Sequence, residues 1–103
     1  MKFVLLCLCF VVFGSCATPL DTERITRIQG LGGDVSAGAS LWSDNCMRCH
    51  GENGNGKGPS LKNSSLSDEA VIRAVLVGPL SMPNFSRLTD QEIANLNAYI
   101  DTL

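Results

Sequence analysis

The chain has a single histidine, no excess of positive charge, no apolar run long enough to span a bilayer, and no stretch that alternates like a strand. Each shortage removes a class of function. Eight Lys and Arg against ten Asp and Glu give a net charge of -2, which argues against nucleic acid, a partner that calls for a basic patch. The longest apolar run, Phe3 to Phe13, is eleven residues, whereas a spanning helix takes about 20. Beyond Cys16, the strongest metal donors are Cys46, Cys49 and His50, with no second Cys or His cluster. A structural zinc site, which needs four ligands, is therefore incomplete. Gly56-Lys57-Gly58 lacks the Ser or Thr that follows the Lys of a phosphate-binding loop. No internal repeat or low-complexity tract is present.

What is there begins with an export signal. Met1 and Lys2 form a short positive start, and the apolar run that follows fits the hydrophobic region of a secretory leader over residues 1–15. Phe13-Gly14-Ser15-Cys16 resembles a bacterial lipobox, which makes Cys16 the expected lipid acceptor and the membrane an expected partner. Ser15-Cys16-Ala17 offers ordinary signal-peptidase cleavage as the alternative. Cys7 and Cys9 leave with the leader, Cys16 is modified or removed, and no disulfide framework is left. The remaining chain of about 88 residues is marginal for a self-sufficient core, so a large buried cofactor is the natural compensation. Without Lys2 it carries seven basic and ten acidic residues.

Residues 16–33 read as a tether: Pro19, Gly30, Gly32 and Gly33 interrupt them, and Ile25 with Ile28 is too brief an apolar pattern for a core helix. Residues 34–103 read as one all-α domain with three main helices. The first starts at the N-cap Asp34 and places Val35, Gly38, Ala39, Trp42 and Cys46 on one face. The second opens at Ser67 with Asp68 and Glu69, buries Val71, Ile72, Val75 and Leu76, and stops at Gly78-Pro79. Thr89-Asp90-Gln91-Glu92 is a capping box for the third, with Leu88 and Ile93 as its hydrophobic staple. Its stripe is Ile93, Leu96, Ile100 and Leu103, with Tyr99 beside it.

The chemistry is carried by Cys46-Met47-Arg48-Cys49-His50. C-x-x-C-H is the attachment signature of a c-type haem. On a helix its two thiols and imidazole stand at i, i+3 and i+4 and share a face. Each thiol can then add to a vinyl group along one porphyrin edge, while the imidazole reaches the iron. A redox dithiol is the competing reading, but it normally sits on a βαβ scaffold, for which there is no pattern here. Met1 leaves with the leader and Met47 lies between the cysteines. Met82, in the loop before Pro83, is therefore the expected second axial ligand; the alternative is a methionine that only fills the core. His/Met ligation favours reduced iron and closes it to substrate. The glycines from Gly51 to Gly58 let the backbone turn tightly and lie close to the macrocycle.

These motifs resemble the class I cytochromes c, the small single-haem bacterial kind, over Asp34 to Leu103. Gly38 and Trp42 stand eight and four residues before Cys46, where family members carry a glycine and an aromatic residue, and Leu96 and Tyr99 match the last helix. The resemblance implies that these two helices cross at Gly38. It implies further that the Pro59 carbonyl, in Gly58-Pro59-Ser60-Leu61, accepts the imidazole hydrogen bond of His50, and that Met82-Pro83-Asn84-Phe85 is the axial-methionine loop.

The expected function is single-electron transfer between periplasmic or membrane redox proteins, without catalysis. The expected location is the periplasmic side of a bacterial membrane, lipid-anchored, or else soluble in the periplasm. Arg48, Lys57, Lys62 and Arg87 lie near the haem-bearing loops and offer docking charge for an acidic partner, although solvated surface charge is the commoner account of any one of them. A fixed haem c subunit of a larger membrane oxidoreductase is the alternative. A peroxidase or gas sensor would need an open sixth position or a second haem.

Overall fold

The computed structural model describes residues 19–58, 60–62 and 65–103. The expected leader over 1–15, Cys16 and Pro59 lie outside the described residues. Among the described residues there are five helices and no strand: α1 Pro19–Gln29, α2 Val35–Asn45, α3 Met47–His50, α4 Asp68–Val77 and α5 Asp90–Ile100. The three expected helices correspond to α2, α4 and α5.

Their ends follow from the capping residues. The Asp34 carboxylate accepts from the amides of Ser36 at 2.9 Å and Ala37 at 3.4 Å, satisfying donors that the first turn of α2 leaves open. Ser67 caps α4 through the Ala70 amide, and Gly78 ends it in the left-handed conformation with φ 68°. The capping box of α5 is complete. The Glu92 amide donates to Thr89 Oγ1 at 3.1 Å, and the Thr89 amide donates to Glu92 Oε1 at 2.9 Å.

The centre of the fold is the crossing of α2 and α5. A Cβ at Gly38 would overlap the Asn95 carbonyl oxygen and come within 2.9 Å of Tyr99 Cβ, so only glycine permits this approach. Asn95, one of the few buried polar side chains, accepts the Asp34 amide at 2.8 Å and a Gln91 Nε2 donor at 2.9 Å. That bond ties the start of one helix to the middle of the other. Trp42, Ile72, Ile93 and Leu96 fill the interior, each no more than 1% exposed. Val35, expected on the buried face of α2, is exposed instead. It sits in the first turn of α2.

Residues 19–29 correct the tether reading. They form α1, which packs on α4 and α5, with Ile25 and Ile28 buried in the same core as Ile72 and Ile93. Pro19 suits a first helical position. Two apolar residues one turn apart are too few to announce a helix from within the segment. They suffice because the surface already formed by α4 and α5 supplies the rest of the contact, and most helical stability in proteins comes from such packing. Arg24 adds polar anchorage through an ion pair with Asp90 at 2.8 Å.

Candidate functional site

The site is built on one turn of chain at the end of α2. Cys46 closes α2, its amide donating to the Trp42 carbonyl at 2.9 Å, and at the same residue α3 begins. The amides of Cys49 and His50 both donate back to the Cys46 carbonyl, at 3.2 and 2.9 Å. These bonds wind Cys46, Cys49 and His50 into a single turn. That turn spaces the two thiols and the imidazole at i, i+3 and i+4. Gly51, at φ 82°, then breaks the helix.

The two thiols differ in environment. Cys46 is buried and Cys49 exposed, and no disulfide joins them. Burial, with a smaller contribution from the charge of Cys49, pushes the Cys46 thiol up to about 11. Among the described residues, no group of three or more His, Cys, Asp or Glu side chains converges to hold a metal ion.

His50 is held between an aromatic wall and the glycine loop. The Trp42 ring lies 6.0 Å from it between centroids, and the Tyr99 ring of α5 stands 5.7 Å from Trp42 on the other side. Trp42 Nε1 donates to the Gly51 carbonyl at 3.1 Å, fixing the wall to the residue that follows His50. Opposite, the loop folds back so that the Gly56 amide donates to the His50 carbonyl and the Gly58 amide to the Cys49 carbonyl, both at 2.6 Å. A Cβ at Gly58 would sit 3.0 Å from both Cε1 and Nδ1 of His50. The backbone therefore passes directly over the imidazole edge. Two thiols one turn apart, an adjacent imidazole and a glycine-rich loop make a donor set that fits a flat macrocycle joined through two thioethers.

Met82 lies in the loop between α4 and α5. It is half-buried against the core that also contains Cys46 and Phe85. The loop is anchored by the Phe85 amide, which donates to the Val75 carbonyl at 2.7 Å, and by Met82's own amide, which donates to Pro79. Of the cations expected to dock a partner, Arg48, Lys57 and Lys62 are exposed. Arg87 is exposed too, but its guanidinium lies 5.3 Å from the Phe85 ring centroid and reaches Asn45, so part of its role is to cover that ring. Two features were not read from sequence. The indole bond of Trp42 to Gly51 was foreshadowed only by the aromatic type. Arg24, which bridges α1 to the chain after Met82, carried no local signal at all.

Comparison with known proteins finds relatives over most of the chain. The family described as "Cytochrome C oxidase, cbb3-type, subunit III" matches residues 33–100. Cytochrome c-554(547) of Halothiobacillus neapolitanus is 32% identical, over 69% of this chain and 98% of that protein. Cytochrome c6 of Thermosynechococcus vestitus is 33% identical, over 82% of this chain and 84% of that protein. The crystal structure of cytochrome c6 from the diatom Phaeodactylum tricornutum superimposes with a TM-score of 0.58 at 35% identity, covering 66% of this chain and 91% of that one.

Proposed function

Because the chain belongs to the cytochrome c family, as a small class I member with one covalent haem that transfers single electrons, we propose that Cys46 and Cys49 form the thioethers and that His50 and Met82 are the axial ligands. The observation that carries this reading is the single turn holding both thiols and the chain's only imidazole. Bound there, the haem supplies a one-electron couple, and a methionine ligand raises its potential by favouring the reduced iron. The chain's own residues do the rest. Trp42 and the Gly58 backbone fix the plane of His50. By the family resemblance, the Pro59 carbonyl takes the imidazole N–H, which would set the tautomer and strengthen the ligand. Met82 would take the second axial position, which would close the iron to oxygen and peroxide and suit a carrier rather than an enzyme.

In this reading electrons would enter and leave on the side of the exposed Cys49. Arg48, Lys57 and Lys62 stand exposed near it in the chain and offer a docking surface for an acidic redox partner. Absorption spectra of the purified protein test the ligand set. The expected result is a low-spin haem that survives denaturing extraction, a far-red methionine–iron(III) band, and no change when carbon monoxide is added to the reduced form. Met82→Ala should lose the band and bind carbon monoxide. A wild-type protein that already binds carbon monoxide would overturn the six-coordinate carrier.

Export and lipidation at Cys16 complete the proposal, placing the domain on the periplasmic side of a bacterial membrane. No helix among the described residues is long and apolar enough to cross one. An anchor would therefore have to be the lipid itself, and several acyl chains at about 0.8 kcal/mol per buried methylene would hold firmly. With α1 starting at Pro19, three residues after Cys16, such an anchor would keep the domain close to the surface. Cys16→Ser should release a soluble cytochrome or block processing; unchanged membrane binding and processing would exclude lipidation. The family description also favours a second reading, a haem c subunit fixed in a larger membrane oxidoreductase. Gentle detergent extraction distinguishes the two: a stoichiometric complex supports the subunit, a free monomer the carrier.

A further inference from the structure

The chain that carries Met82 is an arch with two feet. The first foot is the end of α4. There the Phe85 amide bonds to Val75, and a Cβ at Gly78 would come within 2.5 Å of the Asn84 amide nitrogen and 2.7 Å of the Met82 oxygen. The top of the arch is open: Pro79, Leu80, Ser81 and Pro83 are exposed, and Leu80 holds a positive φ of 56°. The second foot is Ser86 to Asp90, and it is held from outside the loop. Arg24 of α1 places all three guanidinium nitrogens on this stretch: Nη1 donates to the Ser86 carbonyl at 3.0 Å, Nη2 to the Leu88 carbonyl at 2.6 Å and Nε to Asp90 Oδ1 at 2.8 Å. Arg27 holds the other carboxylate oxygen of Asp90 at 3.3 Å.

This clamp is partly buried. The side chain of Arg24 is 24% exposed and that of Asp90 31%, so its charge-assisted bonds are less screened than those of a surface pair. Arg24 and Arg27 lie outside residues 33–100, which match the family model, while the groups they hold lie inside them. α1 thus anchors the methionine arch from outside that matched segment. We propose that Arg24 is a positioning residue for the sixth iron ligand: by pinning the carbonyls of Ser86 and Leu88 it holds the arch closed and keeps the Met82 sulfur in place. The proposal rests on the reading of Met82 as an axial ligand.

A planar fork matters here more than a positive charge. Lysine in place of Arg24 could keep an ion pair with Asp90 but could not reach two carbonyls at once. The experiment is an imidazole titration of the ferric, haem-loaded protein matured from the full chain, following loss of the far-red methionine–iron band, with thermal unfolding recorded for each variant. Imidazole can bond to the iron only when the methionine–iron bond has broken, so its apparent affinity scales with the population of the open arch. Arg24→Gln and Arg24→Lys are both expected to bind imidazole at least about tenfold more tightly than wild type, since each loses charge-assisted bonds to the arch. Arg27→Gln, which touches only Asp90, should stay within about twofold of wild type. If Arg24→Gln accumulates poorly, Arg24→Lys carries the same comparison. Variants that unfold at lower temperature yet bind imidazole as wild type does would overturn the clamp and leave Met82 as ligand. A wild-type protein without the band would remove the Met82 reading and the clamp together.

Discussion

At the scale of single residues, the site depends on what is missing beside His50 as much as on its donors. The sequence shows a run of glycines after the C-x-x-C-H motif, and a close approach to a macrocycle is the natural expectation. The structure adds a closer neighbour: Gly58 lies against the imidazole itself, where a Cβ would be 3.0 Å from Cε1 and Nδ1. That distance is tighter than ordinary carbon packing, so Gly58→Ala must push the ring or the loop by a few tenths of an ångström. A displaced ligand admits solvent, which favours the more highly charged ferric state. The reduction potential of Gly58→Ala should therefore fall by tens of mV, on the order of the 59 mV that corresponds to a tenfold change for one electron. Gly32→Ala is the control, because nothing lies within 4 Å of the added carbon. Protein-film voltammetry reads both, and equal potentials would show that Gly58 does not bear on His50.

At the scale of elements, legibility followed the locality of the signal. The capping box at Thr89, the cap at Asp34 and the stop at Gly78 are local features, and α5, α2 and α4 lie where those residues put them. The motif at Cys46 is local too, since its geometry is set by bonds within one turn. α1 was hidden because its justification lies elsewhere in the chain. Ile25 and Ile28 look like two stray apolar residues until the surface of α4 and α5 is present to receive them. Arg24 reads as an ordinary surface charge until Asp90, sixty-six positions away, is placed beside it. If α1 is part of the cooperative fold, Ile28→Ala should cost about 2–4 kcal/mol, the range for emptying a fully buried aliphatic site. A peripheral helix that frays independently would instead lose only local protection. Guanidinium unfolding followed by haem absorbance separates the two, because the haem reports the core rather than α1; an unchanged midpoint would make α1 an appendage.

At the scale of the whole molecule, two carboxylates at opposite ends of α5 pull stability in opposite directions with pH. At its N-terminal end, the hydrogen bond from Arg24, opposed by partial burial and reinforced by Arg27, holds the Asp90 carboxyl below the usual carboxylate range. Just beyond its C-terminal end, burial and then the charge and hydrogen bond of Asp68 hold Asp101 above it. For Asp90 the folded state binds its proton more weakly than the unfolded state, where the value is about 3.9. Its contribution is therefore complete above that value and is lost as pH falls through the lower folded value. For Asp101 the sign reverses. The folded state binds the proton more tightly, so the ionised pair of Asp101 and Asp68 is a liability at pH 7, relieved as pH falls toward about 4. Asp101→Asn removes the repulsion outright. It should raise stability at pH 7 by a few tenths of a kcal/mol, the scale of a largely solvated charge pair. The advantage should shrink as pH falls from 7 toward about 4, because the wild-type carboxyl takes up its proton in the fold before it would in the unfolded chain. Denaturant unfolding of both proteins at the two pH values measures the difference. An advantage that persists unchanged at pH 4 would show that the substitution acts through something other than charge. Asp90→Asn should do the reverse, costing stability at pH 7 and matching wild type only well below pH 4.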